Sequence, residues 1–106
     1  MYVNDAANMT LFFLENRQSN GVFNIGSGSA STWNELAAAI FRAMGKEERI
    51  EYIDMPDSVR NRYQYYTCAN MSKLRNSGYC RPITSLFEAV DDYVKNYLVS
   101  DRRLGQ

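Results

Sequence analysis

A chain of 106 residues is long enough for one small domain with a single core, and a domain of this size buries only about 60–70% of its unfolded surface, leaving modest stability to spare. Twelve Lys and Arg residues balance twelve Asp and Glu residues, so the charge gives no reason to expect a nucleic-acid or anionic-membrane partner. No histidine is present, which removes the commonest general base and the Ser-His and Cys-His nucleophile pairs, and with them much of hydrolase chemistry.

The apolar stretches Leu11 to Leu14 and Leu36 to Phe41 are far too short to span a bilayer. Met1-Tyr2-Val3-Asn4-Asp5 lacks the basic start, apolar block and small-residue cleavage site of a secretory signal, so a cytoplasmic address is the expectation. Cys68 and Cys80 form no Cys-x-x-Cys pair; two reduced thiols and no metal site are expected.

In chain order, Met1-Tyr2-Val3 has strand character without a partner ahead of it. Asp5 is placed to cap a helix carrying Ala6, Met9, Phe12 and Phe13 at helical spacing, with Asn16 to Asn20 as its stop. Val22-Phe23-Asn24-Ile25 reads as a short strand running into the loop Gly26-Ser27-Gly28-Ser29. Thr32-Trp33-Asn34-Glu35 fits a capping box, the following helix sets Leu36, Ala37, Ile40, Phe41 and Met44 on one face, and Gly45 ends it. Arg49-Ile50-Glu51-Tyr52-Ile53 alternates as a strand does, and Pro56 forbids easy continuation.

Residues 58 to 69 show no clean period and are dense in groups that both stack and hydrogen-bond, the profile of a binding loop. Asn70 is placed to cap a short helix from Met71 to Ser77, which Gly78 ends, leaving Tyr79 to pack back. Ser85-Leu86-Phe87-Glu88 is a second capping box, opening a helix with Leu86, Ala89, Val90, Tyr93, Val94, Tyr97 and Leu98 on one face. The tail from Ser100 to Gln106 reads as frayed. The alternation of helices and strands gives an α/β class without internal repeats.

Gly26-Ser27-Gly28 invites a dinucleotide reading, but a full fingerprint needs a third glycine where Ser31 stands, so a sharp turn is the better reading. Arg62 and Tyr63 suit a nucleotide sugar, since a guanidinium pairs with phosphate oxygens and a phenol donates to them or stacks on a ring. A tyrosine-rich loop is about as often simple packing or a protein contact. Glu47-Glu48 and Asp91-Asp92 read as solvated helix surface, and Trp33 as a core or interface anchor.

Tyr2-Val3-Asn4-Asp5-Ala6-Ala7 is similar to the Tyr-Val-x-Asp-Val-Ala motif of extended short-chain dehydrogenase/reductase enzymes, and Phe23-Asn24-Ile25-Gly26-Ser27-Gly28 to their late Phe-Asn-x-Gly-Thr-Gly turn. Ile50-Glu51-Tyr52-Ile53, Pro56-Asp57, Arg62-Tyr63-Gln64, Thr67, Ala69, Leu74-Arg75 and Gly78-Tyr79 follow in the order shown by the ADP-heptose 6-epimerase branch. Asn70, where that branch usually has aspartate, and Ser27, where threonine is commoner, depart from the pattern. Nearly the whole chain resembles the carboxy-terminal part of such an enzyme.

The resemblance implies a Rossmann domain holding NADP, a smaller carboxy-terminal region closing over an ADP-sugar, and epimerisation through hydride removal to a ketone and return to the other face. The proton work there belongs to a Tyr-x-x-x-Lys pair. No tyrosine here is followed four positions later by lysine, so no catalytic residue and no cofactor-binding residue is expected in this chain. The family pattern assigns residues 1–27 to the edge of the Rossmann domain and 28–106 to the substrate-binding region. It gives Tyr63 to substrate contact, to which the guanidinium chemistry adds Arg62 more weakly. An isolated chain without its amino-terminal Rossmann partner is expected to be inactive, and a homo-oligomer is allowed. A substrate cap from another sugar-nucleotide epimerase or dehydratase, or a protein-interaction module derived from one, are the alternatives.

Overall fold

The computed structural model describes residues 1–103; the end of the predicted frayed tail, 104–106, lies outside them. The described residues hold five α-helices and a π-helical turn. They are α1 (Val3–Glu15), α2 (Trp33–Ala43), α3 (Asp57–Arg60), α4 (Ser72–Asn76) and α5 (Leu86–Tyr93), which runs into the π-helix Val94–Leu98.

Both predicted capping boxes form. Thr32 accepts from the Glu35 amide at 3.1 Å while the Glu35 carboxylate takes the Thr32 amide at 2.7 Å. Ser85 and Glu88 do the same for α5, at 3.3 and 3.0 Å. Each box satisfies two amides that a helix start otherwise leaves unpaired. Gly45 and Gly78 take the left-handed conformation at φ +64° and +106°, closing α2 and α4 as expected. Asn70 accepts from the Ser72 amide at 2.9 Å, so it serves the start of α4 from one position further upstream than a regular cap.

Asp5 departs from its expected role. The first helix begins at Val3, with Tyr2 as its uncapped entry, and Asp5 lies buried inside the first turn. Its carboxylate accepts from the Thr84 amide and hydroxyl, both at 2.9 Å. Two partners almost eighty residues away outcompete a local cap, because a buried carboxylate must have its lone pairs filled.

The α/β expectation is not met within the described residues, which contain no strand. Residues 22–25 and 49–53 form no ladder, and Val22, Tyr52 and Ile53 are 86%, 75% and 82% exposed. Alternation gives a segment strand character, but a strand exists only where a neighbour supplies the matching amides and carbonyls.

The expected single core is two small clusters. Met9, Met71, Leu74 and Tyr79 form the first, with Phe12, Phe13, Phe23, Ala69 and Ile83 around it. Tyr79 packs edge-on to Phe12 with ring centres 5.5 Å apart, the packing expected after Gly78. The second lies where α2 meets α5 and the π-helix, burying Ala39, Ala43 and Val94. Ile40 and Met44, on the predicted apolar face of α2, stay 38% and 46% exposed. Among the described residues no helix is long and apolar enough to cross a membrane, and no metal-holding group of His, Cys, Asp and Glu side chains assembles. Both cysteines are free thiols, as predicted.

Candidate functional site

The tyrosine loop begins at α3, a single turn entered through Pro56. Arg60 reaches back to the Met55 carbonyl at 3.3 Å and toward Asp57 at 3.6 Å, and the Arg62 amide bonds to the Val59 carbonyl at 3.0 Å. These contacts are all local. Tyr63, half-buried, then meets Tyr65 edge-on with ring centres 5.1 Å apart, and the Thr67 hydroxyl donates to the Gln64 amide oxygen at 3.4 Å.

A longer-range bond joins this loop to α2, where the Trp33 indole N–H donates to the Tyr63 phenol oxygen. Trp33 is the first residue of α2, so the capping box at Thr32 and Glu35 fixes its backbone. Of the two anchor readings, core and interface, the core one fails, since Trp33 is 71% exposed and its indole N–H is turned to the loop. The apolar spacing of α2 puts Trp33 beside Leu36 and Ala37, but no pattern in the sequence announces its partner thirty residues on.

Arg62 is exposed and its guanidinium forms no ion pair among the described residues. Tyr66 and Tyr65, 75% and 77% exposed, complete an aromatic rim. The Tyr66 phenol is pushed above its ordinary range, first by its hydrogen bond with the Cys68 side chain. The loop therefore presents aromatic faces, a phenol and a free guanidinium together, a set that can stack on a ring and grip an oxyanion.

Two clefts lie elsewhere, and neither is lined by Tyr63 or Arg62. The first, of about 630 Å³, is walled by Gly26, Ser27, Ser29, Ser31, Thr67, Cys68, Thr84 and Ser85 among others and has no charged side chain in its wall. Much of its polarity is spent internally: Ser27 donates to the Ser29 carbonyl at 2.9 Å, Thr84 to Asp5, and Ser85 to Glu88 at 2.6 Å. The second, of about 890 Å³, is an apolar groove between Met1-Tyr2-Val3, α2, α5 and the π-helix, lined by Leu36, Ile40, Met44, Val90, Tyr93 and Leu98.

The glycine loop serves close packing of the chain. A Cβ on Gly26 would sit 2.6 Å from the Ala69 Cβ, and one on Gly28 3.1 Å from the Met71 side chain. Both glycines let the segment leading into α4 pack close against the loop, as a sharp turn requires. The Asp91-Asp92 pair is more than solvated surface. Asp91 pairs with Lys95 at 2.6 Å, while Asp92 accepts from the Tyr2 hydroxyl and from Asn96 at 2.7 Å, tying the chain start to α5.

With this geometry in view, comparison with known proteins gives a consistent class: the chain resembles the carboxy-terminal part of epimerases of the extended short-chain dehydrogenase/reductase type. Three of the similar proteins share a name. An ADP-L-glycero-D-manno-heptose-6-epimerase of Nitratidesulfovibrio vulgaris, strain DP4, is 47% identical over 100 residues, 94% of this chain and 31% of the relative, and the Hildenborough strain gives the same figures. The namesake of Fusobacterium nucleatum is 39% identical over 107 residues, 95% of this chain and 32% of the relative. The chain thus spans about a third of the length of the curated relatives it matches. No protein-family model matches it.

Proposed function

We propose that this chain is the carboxy-terminal, substrate-binding portion of an NADP-dependent ADP-glycero-manno-heptose 6-epimerase, acting in the cytoplasm on an ADP-sugar. The observation that carries the reading is the 47% identity over nearly the whole chain to a relative of that name. The tyrosine loop supports it chemically. Tyr63 donates to the ligand and Arg62 supplies charge, a pairing suited to the diphosphate of a sugar nucleotide.

In this reading residues 1–27 belong with the cofactor-binding domain and 28–106 with the substrate region. NADP is held by the amino-terminal portion. The unpaired segments 22–25 and 49–53 join a sheet that the rest of the enzyme completes, and the apolar groove is covered by the same portion. Hydride and proton transfer lie outside this chain, which is inactive by itself.

The test is a graft. The aligned segment of the Nitratidesulfovibrio vulgaris epimerase is replaced by this chain, and interconversion of the two heptose epimers is assayed for the hybrid and for the 106-residue chain alone. The hybrid should turn over and the chain should not. Loss of one hydrogen bond to a charged group corresponds to roughly tenfold or more, so Tyr63→Phe in the hybrid should raise KM by about that factor with little change in kcat. Turnover by the chain alone, or a hybrid preferring UDP-sugars, would refute the assignment.

A further inference from the structure

We infer that Trp33 is a positioning residue for Tyr63: its indole N–H occupies one acceptor site of the phenol oxygen and thereby leaves the phenol hydrogen free to donate to an oxyanion of the bound nucleotide sugar. The inference deepens the reading above and rests on it for the ligand class. Its geometric part rests on this chain alone.

The directionality follows from donor chemistry. An indole nitrogen only donates, so in the Trp33–Tyr63 bond the phenol oxygen must be the acceptor. The phenol's own hydrogen is not consumed by that bond, and among the described residues no carbonyl or carboxylate takes it. An oxygen that accepts also becomes a stronger donor, because hydrogen bonds in series polarise one another. Arg62, adjacent in the chain and without an acidic partner among the described residues, adds the positive charge that an oxyanion requires.

The mechanics point the same way. The other hydrogen bonds of residues 57–67 are short-range, to Met55, Pro56, Val59, Gln64 and Cys68, and hold the loop to itself. Trp33, by contrast, stands on a helix start locked by its capping box, so its bond transfers the rigidity of α2 to one phenol. A 71% exposed indole contributes little to the core; in this position its polar edge carries the function.

Two measurements test this. Trp33 is the one tryptophan of the sequence, so the nitrogen-15 spectrum of the 106-residue chain holds a single indole N–H resonance. It should lie downfield and move upfield in Tyr63→Phe; a resonance unmoved by that substitution overturns the pairing. The second is calorimetric titration of ADP-L-glycero-D-manno-heptose into the chain and into the grafted epimerase. Trp33→Phe, which keeps the ring and removes the donor, should weaken binding about fivefold, and in a Tyr63→Phe background it should weaken it no further. An equal loss in that background shows Trp33 acting independently and overturns the inference. Absence of binding in both proteins refutes the sugar-nucleotide reading, and this inference with it, even where the resonance shows the pair intact. Binding with an unmoved resonance refutes the pairing alone.

Discussion

Tyr2 and Asp92 show how one hydrogen bond sets a pH range for stability. The Tyr2 hydroxyl, and then the Asn96 amide, hold the Asp92 carboxyl below its ordinary value of 3.8. The same bond, and then burial, push the Tyr2 phenol up to about 12 from 10.0. Both shifts favour a neutral phenol beside a charged carboxylate. The depressed carboxyl contributes stability above its unfolded value and loses it as pH falls through the lower folded one. The raised phenol contributes fully below 10.0 and loses its contribution as pH rises toward 12. Thermal unfolding followed across pH should therefore show a plateau with two limbs. In Tyr2→Phe the plateau should fall by a few degrees, the acid limb should move up toward the ordinary aspartate value, and the alkaline limb from this phenol should vanish. Gly26 is a second point where one atom decides. With the Ala69 Cβ only 2.6 Å from any Cβ placed there, Gly26→Ala should cost about 1–3 kcal/mol in urea denaturation, the range for overfilling a packed site.

Helix boundaries here follow chemistry confined to a few neighbouring residues. The Ser85 hydroxyl and amide hold the Glu88 carboxyl below its ordinary range, so the box at the start of α5 is electrostatic as well as geometric. Ser85→Ala should lower stability by about 1 kcal/mol, and Glu88→Gln by less, in the same denaturation assay. Leu74, 1% exposed, anchors α4 in the first cluster, and Leu74→Ala should cost about 2–5 kcal/mol. If Leu74→Ala costs less than Ser85→Ala, the first cluster does not hold the fold together.

The whole molecule is wide and thin. Its radius of gyration is 16.9 Å, against about 13 Å for a compact domain of this length, and its dimensions are 49 × 38 × 20 Å. It exposes 8609 Å², where a compact monomer of 12.2 kDa exposes roughly 6,000 Å². Leu98 and Val99, 58% and 73% exposed, lie along the apolar groove. An uncovered surface of this kind associates. Light scattering on the isolated chain should show mass rising with concentration, and Leu98→Glu should suppress the rise while leaving helix content unchanged. A chain monomeric throughout that range would show that the groove does not need a partner.

Local rules read from the residues alone located both capping boxes and the glycine stops at Gly45 and Gly78, because each depends on atoms within a few positions of one another. The motif order also sufficed to point to the epimerase relatives, since side-chain identity is all such a comparison needs. Tertiary structure alone decided the rest. Residues 22–25 and 49–53 have strand composition but no ladder within the described chain, as pairing belongs to two segments and never to one. Asp5 turned from a cap into a buried acceptor for Thr84, and Trp33, read as a core or interface anchor, lies outside the core as the partner of Tyr63. In each case a contact made across the fold outweighed the local preference, and distance in the chain hides such contacts from any reading of spacing.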